Sequence, residues 1–97
     1  MVQNVNEARA AVEACRYPPR SIRGVAGSTR ANRFGRITDY FSKVEDETAV
    51  LVQLETKTAV EAAEDIAAVE GVSGVFFGPA DISADIGLLE KPIDPAV

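Results

Sequence analysis

"VLVQLETKTAVEAAEDIAAVEGVSGVFFGPADIS", residues 50–83, decides how this chain folds. It opens on a Val- and Leu-rich run, "TAVLVQLE" (48–55), which reads as a strand. "TKTAVEAAEDIAAVEG" (56–71) follows with helical spacing: Val60, Ala63, Ile66 and Ala67 form an inner face, and Glu61, Glu64 and Asp65 an outer one. Gly71 closes the helix. "VSGVFF" (72–77) is a second strand, and it stops at Gly78 and Pro79. Two apolar strands joined through a helix lie parallel in one sheet and are covered by helices. Each strand ends on an acid: the first on Glu55, the second, after the Gly-Pro turn, on Asp81.

Outward from this unit the chain is less regular. "MVQN" reads as the end of a buried strand. Asn6 is placed to cap a helix over about residues 6–15, with Ala8, Ala11, Val12 and Cys15 on one face. "RYPPRSIRGVAGS" is a loop, and "STRANRFGR" has room for a helical turn. "ITDYFSKVED" (37–46) carries Ile37, Tyr40, Phe41 and Val44 at helical spacing. "GPADISADIG" is a loop with one or two helical turns, and "LLEKPIDPAV" a tail with two prolines. A doubly wound sheet and a slice of a (β/α)8 barrel both fit this order. About three strands are expected, which would leave open edges and a poorly covered face. Assembly with copies of itself, or with more of a larger fold, is the expected consequence.

Side chains alternate along a strand. Val50, Val52 and Leu54 therefore point to the helix layer, and Leu51, Gln53 and Glu55 to the other face. Burying Gln53 and Glu55 without partners would cost about 1–3 kcal/mol each, so they should face a mouth. Adjacent strands lie about 4.8 Å apart, which brings Glu55 and Asp81 together at the carboxyl ends, where parallel α/β folds place ligands. Two acids there repel each other unless a cation lies between them, and a hard divalent ion answers that need. Two plainer readings stay open. Asp81 can be the N-cap of "ISADIG", and Glu55 a rim residue paired to a surface lysine.

The formal net charge is −5, which disfavours nucleic acid or an anionic membrane as a partner. No run approaches the roughly 20 apolar residues of a membrane span, and "MVQNVNEAR" has no leader-like pattern. The single cysteine, Cys15, fits a core position in a reducing cytoplasm. Histidine is absent, so any metal here is held by oxygen.

"MVQNVNEARAAVEACRYPPRSIRGV", "RFGRITDY", "LVQLETKTA" and "VEGVSGVFFGPADISADIG" together resemble the HpcH/HpaI aldolase family, the metal-dependent class II pyruvate aldolases. Val52-Gln53-x-Glu55 paired with Gly78-Pro79-Ala80-Asp81 is the specific part of the resemblance. It implies an α/β fold, a parallel-sheet segment of a (β/α)8 TIM barrel that is incomplete in this chain, with residues 1–97 forming one partial barrel domain. It implies Glu55 and Asp81 as ligands of Mg²⁺, Mn²⁺ or Co²⁺. Gln53 and the backbone at Ala80 and Asp81 would hold pyruvate, released with an aldehyde from a 4-hydroxy-2-oxo acid. The family also implies trimers or hexamers. Its histidine base and its enolate-steadying arginine would lie upstream of the barrel region matched here. No catalytic residue of that kind is expected in this chain, which is read as a truncated product or excised fragment, inactive alone.

Six of the ten basic residues lie from Arg16 to Arg36: Arg16, Arg20, Arg23, Arg30, Arg33 and Arg36. A subunit contact, an acidic-substrate pocket or solvated loop arginines each account for them better than nucleic acid does. "GVAGSTR" has phosphate-loop composition without the Gly-Lys-Ser/Thr ending. Three functions are therefore weighed: part of a metal-dependent aldolase; a non-catalytic remnant or metal- or ligand-binding module that assembles with other chains; and a phosphate-using enzyme on a doubly wound sheet.

Overall fold

In a computed structural model that describes residues 1–91 and 94–97, the parallel strand–helix–strand unit forms as the sequence predicts. Strand β1 (Leu51–Leu54) pairs with β2 (Gly74–Phe77), with Leu51 opposite Gly74 and Leu54 opposite Phe77. Ser73 N–H donates to the Val50 carbonyl (2.8 Å) and Gly78 N–H to the Leu54 carbonyl (2.9 Å), carrying the pairing one residue past each end. The register sends Val52 and Leu54 into a core with Val2, Ala8, Ala59 and Ile66. Leu51 is 62% exposed on the opposite face, and Phe76, which pairs with Gln53, is 47% exposed.

The chain divides into two units, residues 1–12 with 49–97 and residues 13–48. The first holds the sheet and its core. Helix α1 (Val5–Cys15) starts here, with Ala8 and Val12 buried. Its cap is Asn4, not the expected Asn6: Glu7 N–H donates to Asn4 Oδ1 (2.9 Å), and Gln3 N–H to Glu7 Oε2 (2.7 Å). The readable signal was the Asn4-x-x-Glu7 spacing of a capping box. The expected strand at Met1–Asn4 is reduced to a single bond, Val2 N–H to the Gln53 carbonyl (2.9 Å). The chain bends at Gln3 and Asn4 to enter the helix, so the sheet has two strands among the described residues, not three.

The expected helix 56–71 is two short ones, α3 (Lys57–Glu61) and α4 (Ala63–Ala67), joined at Ala62. Thr56 Oγ1 accepts from Ala59 N–H (3.1 Å) and caps the first. The expected inner face holds at Ile66, which is fully buried, and at Ala63, which packs against the core; at the start of the run Ala59 is fully buried in place of Val60, which is 38% exposed, and Ala67 is exposed too. The run is rich in alanine, small enough to sit on either face, so periodicity did not fix the rotation. Gly71 follows with φ +95°, a backbone that suits glycine. Helix α5 (Pro79–Asp85) occupies what read as a loop with a turn or two. In the C-terminal tail, Pro92 and Ile93 lie outside the described residues.

The second unit holds a 3₁₀ turn (Arg30–Asn32) and helix α2 (Tyr40–Glu47). Asn32 is buried and ties the loop together. Its Oδ1 accepts from Thr29 N–H (2.9 Å) and Gly35 N–H (3.1 Å), and its Nδ2 donates to the Gly27 carbonyl (2.8 Å). Thus two backbone donors within "STRANRFG", those of Thr29 and Gly35, are taken up by the loop itself. Glu45 accepts from Tyr17 N–H (2.9 Å) and from Arg20 (2.8 Å), while Arg23 stacks over the Tyr17 ring at 4.5 Å. Three of the arginines singled out by sequence thus divide: Arg20 and Arg23 brace the loop, and Arg33 adopts a left-handed backbone (φ +50°). On α2, a hydrogen bond from Lys43 holds the Asp39 carboxyl below its ordinary range; both groups are exposed, so the pair contributes little.

The exposed apolar face around Leu51 and Phe76, beside a two-stranded sheet, is expected to drive self-association when the 97-residue chain is made alone. Light scattering should show oligomers or aggregates; a stable, compact monomer would contradict this.

Candidate active site

β1 hands the chain directly to α3 through Glu55 and Thr56, and β2 hands it to α5 through Gly78. The two turns are neighbours because the strands are parallel and paired. Gly78 is buried, and its Cα comes close to the first strand's polar end. A Cβ built there would stand 2.9 Å from Glu55 Cγ, 3.3 Å from Glu55 Oε1 and 3.2 Å from Gln53 Nε2. Gln53 of β1 and Glu55, just past its end, thus both stand against Gly78, the residue that precedes the helix carrying Ala80 and Asp81. Both are half-buried, and Ala80 and Asp81 are exposed.

The plainer readings of the two acids find no support in the hydrogen bonding. Asp81 is the third residue of α5; the N-cap is Gly78, and no side chain caps the helix. Among the described residues Glu55 and Asp81 form no ion pair. Lys57, the cation adjacent in sequence, turns instead to Glu61 at 3.9 Å. Both carboxylates therefore keep their lone pairs available at the strand ends. The N–H groups of Ala80 and Asp81 likewise have no acceptor among the described residues.

The sequence reading missed one residue here. Asp85 Oδ2 accepts from Lys57 N–H at 2.8 Å, tying α5 to the start of α3. It braces the turn after Glu55 against the helix that carries Asp81. Its spacing of four from Asp81, one helical turn, was the available signal. A separate cleft of about 530 Å³ is lined by Lys57, Val60, Glu61, Ile82, Ile86 and Leu88, together with Ala96 and Val97. None of the four candidate residues reaches it. The cleft therefore lies apart from the candidate residues at the strand ends.

Paired parallel strands that deliver carboxylates at their carboxyl ends, with a helix layer on the core face, define a piece of a parallel α/β fold. The chain belongs to the HpcH/HpaI aldolase/citrate lyase family, whose model matches residues 1–97. It is 54% identical over 98 residues to a 4-hydroxy-2-oxo-heptane-1,7-dioate aldolase of Escherichia coli, covering all of this chain and 37% of that protein. It is 53% identical over 96 residues to a hydroxypyruvate/pyruvate aldolase of Sagittula stellata, covering 99% of this chain and 38% of that one. Its fold superimposes on a crystal structure of a family member from Burkholderia cenocepacia with a TM-score of 0.93 at 39% identity, over the whole of this chain and 39% of that one. The chain thus spans well under half the length of these relatives, as the parallel-sheet segment of a (β/α)8 barrel.

Removing the Asp85 brace should loosen the start of α3. Asp85→Ala is expected to cost about 1 kcal/mol locally and to speed exchange of the Lys57 amide about fivefold, read by hydrogen exchange. Asp85→Asn, which keeps an acceptor oxygen, should do less. An unchanged Lys57 rate in Asp85→Ala would show that the bond carries no stability.

Proposed function

We propose that this chain carries the metal- and pyruvate-binding strand ends of an aldolase that cleaves a 4-hydroxy-2-oxo acid to pyruvate and an aldehyde. The observation that carries the reading is the approach of Gln53 and Glu55 to Gly78, three residues before Asp81, with neither acid in an ion pair among the described residues. The names of the relatives support the reaction class.

The donor set fits a hard divalent ion, Mg²⁺, Mn²⁺ or Co²⁺. The described residues hold no group of three or more His, Cys, Asp and Glu side chains able to close a site. Two carboxylate ligands leave coordination positions for water and for a chelating 2-oxo acid. A divalent cation held by Glu55 and Asp81 would supply Lewis acidity, drawing electron density from the ketone oxygen as the carbon–carbon bond breaks. Glu55 and Asp81 contribute the negative charge that holds the ion. The Gln53 amide donates to the bound pyruvate. The N–H groups of Ala80 and Asp81, without an acceptor among the described residues, donate to its carboxylate without adding a competing positive charge. A histidine base and a charge-steadying arginine come from barrel segments outside these 97 residues. Residues 1–97 are then one partial barrel domain of a cytoplasmic homo-oligomer, a trimer or hexamer. No helix among the described residues is long and apolar enough to cross a membrane.

The test uses a complete barrel, made by setting residues 1–97 in place of the matching stretch of the Escherichia coli relative. Glu55→Gln and Asp81→Asn should each weaken Mn²⁺ binding about 100-fold, since hard-cation affinity follows ligand charge. Retro-aldol activity, read as pyruvate release, should fall with it. The double variant should add little, because each change breaks the same site. Asp81→Asn binding Mn²⁺ as tightly as the parent, with its rate intact, would overturn the assignment.

A further inference from the structure

The close approach at Gly78 is a matter of space, not of backbone conformation. Its φ of −100° and ψ of 89° lie on the negative-φ side open to L-residues, unlike the +95° of Gly71. What a side chain would meet there is the first carbon beyond the Cβ of Glu55, at 2.9 Å. That atom is not the free end of a flexible chain. It moves only if Glu55 rotates about its first side-chain bond or if the strand end shifts, and either motion carries the carboxylate away with it. The Gln53 amide, 3.2 Å away, is a side-chain end that can yield.

We propose that Gly78 is a positioning residue of this site: its missing side chain is what allows the Glu55 carboxylate to stand at the end of β1, facing the turn that leads to Asp81. The inference rests on the reading of Glu55 as a cation ligand. Gly78 itself touches no substrate. It leaves room for the rotamer of the residue that does the binding, so that filling the space would disturb that ligand's orientation.

Two measurements on the complete barrel test this. The first is Mn²⁺ affinity, read by electron paramagnetic resonance of the free ion. Gly78→Ala should weaken binding about 10–100-fold, the usual loss when the support of a ligand is disturbed. The second needs no metal and compares thermal unfolding of the metal-free parent, Gly78→Ala, Glu55→Ala and the double variant. Gly78→Ala should lower Tm in the parent. In the Glu55→Ala background the obstructing atom is gone, so the same change should be neutral or raise Tm, as Gly→Ala does at a compatible backbone. If Gly78→Ala alone does not fold, adding Glu55→Ala should restore folding. Gly78→Ala that binds Mn²⁺ like the parent, or that lowers Tm equally in both backgrounds, or a double variant that stays unfolded, would overturn the role of Gly78. Should Glu55→Gln bind Mn²⁺ normally, the failure lies instead with the reading of Glu55 as a ligand, and the thermal comparison still decides whether Gly78 sets its rotamer.

Discussion

The parallel pairing of β1 with β2 is the constraint on which everything else depends. Side chains alternate, so a slip of one residue would turn Val52 and Leu54 out of the core and bring Gln53 and Glu55 into it. The observed register prevents this, because Leu54 and Val52 are buried against Ala59 and Ile66 while Gln53 and Glu55 stay half-buried on the open face. The same register sets Gly78 one residue beyond the last pair, level with Glu55. Core packing and site geometry are therefore two consequences of one hydrogen-bonded ladder. The room over Gly78 and the Asp85 brace then act on ends that the ladder has already brought side by side.

That dependence explains which parts of the fold were legible in the sequence. The strands were readable because Val and Leu cluster there, and the alternation in "VLVQLE" assigned each face correctly. The Gly-Pro stop located the turn before Asp81. Elsewhere the sequence was ambiguous for physical reasons. Alanine fits either side of a helix, so the burial of Ala59 in place of Val60 could not be read from spacing. Two asparagines stand two residues apart near the start, and only the reach of Glu7 back to Gln3 selects Asn4 as the cap. The third strand failed because the bend at Gln3 and Asn4 leaves a single bond, from Val2.

The candidate site was legible in its residues and not in its supports. Glu55, Asp81 and Gln53 stand out as polar groups at the ends of apolar strands. The alternatives for the acids turn on tertiary structure: Gly78, not Asp81, occupies the cap position, and Lys57 pairs with Glu61, not Glu55. The Asp85 bond to Lys57 and the tight space over Gly78 are tertiary features, with no more than a faint trace in the order of residues. The family match agrees with the resemblance carried by "LVQLETKTA" and "GVFFGPADIS".

The central claim is that Glu55 and Asp81 hold one cation between them. Anomalous diffraction from a crystal of the complete barrel grown with Mn²⁺ tests it most directly. The account predicts a single strong peak within about 2.0–2.6 Å of an oxygen of each carboxylate, the range for oxygen ligands of hard divalent ions. A peak bound to neither, or to only one with the other carboxylate turned to a protein cation, would contradict it.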